Sequence, residues 1–133
     1  MKKIDIACII DDDPIFVFGL KRMMKLANFC ESFMIFKNGE EAINKLTPIL
    51  NSGEDIPNVI LLDLNMPIMD GWQFLDEFIK IESHRLITIY IVTSSIDPQD
   101  KNRVKKYESV SNFIVKPITI DLLKNISEQF STK

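Results

Sequence analysis

Apolar positions along this chain follow two alternating rhythms. Short runs rich in β-branched residues (Ile4–Ile10, Ser32–Phe36, Val59–Leu62, Ile87–Val92 and Asn112–Val115) are each followed by a stretch in which apolar residues return every three or four positions. The first rhythm predicts strands and the second helices, so the chain reads as a βα unit repeated five times. In the first helix Phe16, Leu20, Met23, Met24 and Ala27 share one stripe; in the second, about Gly39 to Leu50, Ala42, Leu46, Ile49 and Leu50 do so. Trp72, Leu75, Phe78 and Ile79 give the third helix its face, and Leu122, Leu123, Ile126 and Phe130 the last. The fourth, about Pro98 to Tyr107, offers only Val104 and Tyr107 as apolar anchors and is expected to pack most weakly. Strands apolar on both faces and separated by helices imply a parallel sheet covered on both sides, a doubly wound α/β layer structure.

Composition adds boundaries. At 133 residues and 46% hydrophobic, residues 1–133 suit one compact domain with a single core, and no output domain is expected. A formal charge of −3 gives no bulk attraction to nucleic acid or to anionic membrane, so any partner surface must be local. Cys8 lies within an apolar run and Cys30 has no evident mate, which fits reduced core thiols in a cytoplasmic chain. Asp5 interrupts the apolar segment of "MKKIDIAC", so no signal peptide is read there, and no apolar run is long enough to span a bilayer.

Charge and hydroxyl groups gather where the predicted strands end. Asp11, Asp12 and Asp13 follow the first strand, Asp63 the third, Thr93, Ser94 and Ser95 the fourth, and Lys116 and Pro117 the fifth. In open parallel sheets, ligands bind in the crevice beyond those carboxyl ends. Neighbouring carboxylates repel and need counter-charge, and a hard cation such as Mg²⁺ takes oxygen ligands, which nominates Asp11, Asp12 and Asp63. Asp13, immediately before Pro14, is placed to cap the first helix. Each group has a plainer reading: acids cap helices, Thr93 ends a strand, and Lys116 is a solvated charge. Their joint occurrence at matching strand ends carries the argument.

The segments "IIDDDP", "LLDLNMPIMDG", "IVTSS" and "FIVKP" resemble, in order and spacing, the receiver domain of two-component response regulators. The resemblance covers essentially the whole chain and is nearest in kind to stand-alone receivers similar to the chemotaxis regulator. It implies a flavodoxin-like (βα)5 fold whose five parallel strands are ordered 2-1-3-4-5. It further implies that Asp63 accepts a phosphoryl group from a sensor histidine kinase or a histidine phosphotransfer protein. Asp11 and Asp12 would hold Mg²⁺ with Asp63 and the backbone carbonyl of Asn65. Thr93 and Lys116 would contact phosphoryl oxygens, the bond to Pro117 would be cis, and Phe113 would be the aromatic switch residue. Such a protein is a signalling phospho-switch rather than an enzyme acting on other substrates. It would be a monomer or a weak phosphorylation-dependent dimer, read by an output protein at the face of the fourth helix, fifth strand and fifth helix, including Arg103, Lys106 and Tyr107.

Departures from the family pattern accompany the resemblance. Phe113 lacks the hydroxyl that a tyrosine would bring, so its movement would be driven by packing, and a plain core role stays open. Where the family has glycine at the end of the fourth helix, this chain has "YESVS", so Glu108, Ser109 or a neighbour must make the turn, with altered or strained geometry. His84, the single histidine, reads as a loop residue and not as a phosphodonor. Three other readings compete. A haloacid dehalogenase-like phosphatase would have a second acid where Asn65 stands; a flavodoxin-like electron carrier would meet repulsion between Asp11–Asp13 and a flavin phosphate. A receiver serving only as an unphosphorylated binding module is opposed by Asp63, Thr93 and Lys116.

Overall fold

The structure, a computed structural model, describes residues 4–82, 84–94 and 96–131. Its strands are β1 (Ile4–Ile10), β2 (Cys30–Phe36), β3 (Val59–Asp63), β4 (Thr88–Thr93) and β5 (Val110–Val115). The helices are α1 (Pro14–Leu26), α2 (Gly39–Ser52), α3 (Gly71–Phe78), α4 (Pro98–Arg103) and α5 (Ile120–Ser131). All strand pairs are parallel, in the order β2-β1-β3-β4-β5. This is the flavodoxin-like arrangement that the resemblance implies, and the parallel, doubly wound layering is what the apolar pattern predicts. No helix among the described residues is long and apolar enough to cross a membrane.

Side chains that alternate along the buried strands feed two cores. Ile60 and Leu62 of β3 join Leu46, Phe74, Leu75 and Phe78 on the α2–α3 side, whereas Val59 and Leu61 join Leu20, Met24, Leu123 and Ile126 on the α1–α5 side. Cys8 is fully buried, and burial alone pushes its thiol well above the usual range, so it is a small core residue without nucleophilic character. Cys30 is buried too and forms no disulfide.

The register sets which strand ends meet. Ile10 pairs with Leu62, so Asp11 emerges level with Asp63; Asp63 pairs with Val92, and Thr93 pairs with Val115, the residue before Lys116. A backbone bond from the Lys116 N–H to the Thr93 carbonyl (2.8 Å) extends this alignment one step past β5.

Several elements depart from the sequence-based expectation. Strand β5 begins at Val110, not Asn112, because an edge strand leaves Ser111 and Asn112 exposed and so breaks the apolar run. Likewise β2 begins two residues early, since Cys30 pairs with Ile4. Ile79 lies outside the buried face of α3: the helix ends at Phe78, leaving Ile79 as an exposed C-cap, while Phe74 takes the buried place.

Helix α4 stops at Arg103 and tightens into a 3₁₀ turn over Val104–Lys106, short of Tyr107. This turn replaces the glycine. Tyr107 has φ −112°, and among the described residues only Asn28, Asp55 and Ile68 are non-glycines with positive φ, so Glu108 and Ser109 carry no left-handed strain. Helix α4 itself buries no residue. An anchor follows the turn: Tyr107 is 2% exposed and donates its hydroxyl to Asp76 Oδ1 on α3. The Arg103 guanidinium lies 4.5 Å from the Trp72 ring centroid, and Trp72 lies 6.1 Å from the Tyr107 ring. Burial first, then the bond to the Asp76 carboxylate, pushes the Tyr107 phenol up to about 12. Tyr107 is therefore an anchor beneath the α4 face, whereas Arg103 and Lys106 are exposed on it. Tyr107→Phe removes one hydrogen bond to a charged acceptor and is expected to cost about 1–2 kcal/mol in urea denaturation, with little further loss when Asp76→Asn is added.

Candidate functional site

Strand β1 delivers the acidic triplet and α1 divides it. Asp13 caps the helix, its Oδ1 accepting from the N–H groups of Ile15 (3.0 Å) and Phe16 (3.3 Å), with Pro14 at the first helical position. Asp11 turns inward; it is buried, and its Oδ1 accepts from the Asp13 N–H at 2.9 Å. Asp12 is exposed at the mouth. One carboxylate oxygen each from Asp11, Asp12 and Asp63 lies within 4.8 Å of the others.

Asp63 is 8% exposed at the end of the fully buried β3. Its Oδ1 faces the Asn65 N–H at 3.4 Å. Burial first, then the nearby Asp11 charge, pushes its carboxyl up to about 6, against a smaller downward pull from Lys116. Asp11 is raised as well, mainly by burial. A carboxylate pair in this state is short of positive charge. The Lys116 ammonium lies 3.4 Å from Asp11 Oδ2, and the Lys116–Pro117 peptide bond is cis.

The loop after Asp63 is pinned by two glycines. A Cβ on Gly71 would lie 2.7 Å from the Asp63 carbonyl oxygen and 2.9 Å from Leu64 Cα, while the Gly71 N–H bonds the Leu64 carbonyl at 2.9 Å. A Cβ on Gly39 would lie 2.8 Å from Met69 Cγ, and the Gly39 N–H donates to the Met69 carbonyl at 3.0 Å. Asp70 and Gln73 close a capping box at the start of α3. The loop can thus approach both helices closely, which fixes where Asp63 leaves the sheet.

Asp11, Asp12, Asp63, Thr93 and Lys116 all occupy the C-terminal edge of the sheet, as their strand-end positions predict. Thr93 is buried there and Ser94 is exposed, while Ser95 lies outside the described residues. Asn65 is exposed beside Asp63, and Phe113 is half-buried against the α2–α3 core. His84 is away from this edge, in a 3₁₀ turn before β4, its Nδ1 2.9 Å from the Ile81 carbonyl oxygen. Phe16 was legible only as part of the α1 stripe. Its ring in fact lies 4.1 Å from the Lys116 ammonium, a contact between residues 100 positions apart that no local pattern signals.

A doubly wound sheet in this strand order, with buried acids and a lysine at its C-terminal edge, defines the class of receiver-type α/β proteins. Residues 7–128 match the response regulator receiver domain, and the chain belongs to that family, the receivers of two-component signalling. It is 24% identical over 124 residues to the probable methanogenesis regulatory protein FilR2 of Methanothrix harundinacea, covering 93% of this chain and 79% of that protein. Several further curated relatives are longer, and the chain spans 11–43% of their length. Among solved structures, a two-component response regulator from Cytophaga hutchinsonii superposes with a TM-score of 0.88 at 28% identity, covering 99% of this chain and all of that one. The receiver domain of a sensor histidine kinase from Pseudomonas aeruginosa superposes with a TM-score of 0.77 at 16% identity, covering 97% and 98% of the two chains. That neighbour holds a magnesium ion coordinated in its active-site cleft.

Proposed function

We propose that Asp63 accepts a phosphoryl group from a phosphohistidine of a sensor histidine kinase or histidine phosphotransfer protein, and that the aspartyl phosphate switches a protein-binding surface. The observation that carries this reading is the buried Asp63 carboxylate beside Asp11 and Asp12, with the Lys116 ammonium at the same edge. In the transfer, an Asp63 carboxylate oxygen forms a bond to phosphorus as the phosphorus–nitrogen bond breaks; the electron pair returns to the imidazole, which takes a proton from solvent. Attack of water on phosphorus later releases phosphate and restores the carboxylate. The chain acts on no substrate other than its own phosphorylation site.

The donor set is all oxygen, three clustered carboxylates without sulfur or imidazole, and this suits Mg²⁺. Asp11, Asp12, Asp63 and the Asn65 carbonyl would hold it, and the bound cation would offset charge on the phosphoryl oxygens. Lys116 adds positive charge from the other side, and Thr93 offers its hydroxyl. Their contribution is position and electrostatics, since anion must approach anion. Phe18 (65% exposed) lines a groove with Asp11 and Asp12, and Ile15 (82%) lines one with Lys116, and these exposed apolar side chains of α1 support docking of the phosphohistidine partner there. Incubation with Mg²⁺ and a small acyl phosphate should add one phosphoryl mass to the wild type and none to Asp63→Asn. A wild type that stays unmodified would leave only the binding-module reading.

The output side follows from the α4 packing. A phosphoryl group would draw the Thr93 hydroxyl toward it, Phe113 would move into the space left, and the face of α4, β5 and α5 carrying Arg103 and Lys106 would change shape. The absence of buried residues in α4 supports this choice, because an element held by the Arg103–Trp72 contact and by the Tyr107 anchor beyond its end is easily biased. Hydrogen exchange with beryllofluoride and Mg²⁺ should therefore change over residues 98–107. Changes confined to α1 would rule this route out.

A further inference from the structure

We propose that Phe16 is a positioning residue for Lys116, its ring face holding the ammonium at the acidic edge before a phosphoryl group arrives. The inference rests on the reading of Asp63 as acceptor. The Lys116 backbone is fixed by its bond to the Thr93 carbonyl, but the head of a four-carbon chain is not fixed by its root. Among the described residues, two contacts hold that head. One is Asp11 Oδ2 at 3.4 Å, long for a charge-assisted hydrogen bond; the other is the Phe16 ring, its centroid 4.1 Å from Nζ. This is the shortest cation–ring distance among the described residues.

Phe16 is itself placed by the start of α1, where its N–H reaches the Asp13 cap, and its half-buried ring packs beside the α1–α5 core. It lines a groove of about 450 Å³ with Ile15, Ser94, Lys116 and Pro117. A ring suits this task better than an acid would. Another carboxylate would add an anion to a site already crowded with them and would compete with phosphoryl oxygens for the ammonium. The ring attracts the cation through its quadrupole, carries no net charge, and leaves the N–H donors free to turn toward the incoming group.

The test separates placement from binding. The Lys116 ε-methylene resonance, assigned by its loss in Lys116→Met, should show an upfield ring-current shift that vanishes in Phe16→Leu and persists in Phe16→Tyr. Beryllofluoride with Mg²⁺ should bind Phe16→Leu about three- to tenfold more weakly than wild type, with Phe16→Tyr restoring wild-type affinity and Mg²⁺ alone binding all three equally. Phe16→Leu keeps an apolar side chain in the groove, and the tyrosine variant separates loss of the ring from any loss of packing. An unchanged ε-methylene shift in Phe16→Leu overturns the proposal, as does equal beryllofluoride affinity of the leucine and tyrosine variants. Failure of the wild type itself to take up beryllofluoride would instead overturn the acceptor reading, and this proposal with it.

Discussion

Asp63→Asn should stabilise the metal-free protein by about 2–3 kcal/mol at pH 7 and flatten its pH dependence. The sign follows from the raised carboxyl. In the folded chain Asp63 keeps its proton up to about pH 6, whereas the unfolded chain releases it near the ordinary aspartate value of 3.8. Between these limits the folded state binds more protons, so stability falls as pH rises through the window and levels off above it. Asp11, also raised by burial, acts in the same sense. The asparagine carries no charge to desolvate or to repel Asp11, and its carbonyl oxygen can still face the Asn65 N–H. Urea denaturation in chelator between pH 4 and 8 measures the difference. Parallel curves for the two proteins would show that Asp63 is not strained by its neighbours.

Loss of Asp12 should have the larger effect on ligand binding. Asp12→Ala is expected to reduce Mg²⁺ affinity by at least about a hundredfold, beyond what loss of an outer-shell partner typically causes, and to prevent beryllofluoride uptake. Asp12 is the exposed member of the three clustered acids, so its removal opens no core cavity and takes one like charge from the edge. The metal-free melting temperature should hold or rise. Calorimetric titration with Mg²⁺, with circular dichroism to follow the fold, distinguishes these effects; normal phosphoryl uptake by the variant would remove Asp12 from the ligand set.

Both outcomes express one physical trade. The chain places anions at a desolvated strand end, at a cost to the bare protein, and on the proposed reading a cation and a phosphoryl group would meet a prearranged site there. The two glycines that let the β3–α3 loop press against α2 and α3 belong to the same design, because they fix the direction in which Asp63 leaves the sheet.

What the sequence determined by itself was whatever depends on local period and on strand-end position. Continuous β-branched apolar runs and three-to-four-residue rhythms separated strands from helices, and an apolar strand such as Val59–Leu62 can only be central, so the polar residue that follows it must stand at the sheet edge. That reasoning placed Asp11, Asp63, Thr93 and Lys116 on one edge without coordinates. Helix bounds on α4, the exposure of Ile79 and the early start of β5 escaped it, because edge exposure and helix endings depend on what packs alongside. Only the tertiary structure decided that Tyr107 lies beneath the α4 face, bonded to Asp76 on α3, and that the ring of Phe16 faces Lys116. These contacts join side chains 31 and 100 positions apart. They arise from how helices lie over a twisted sheet, and no spacing along the chain encodes them.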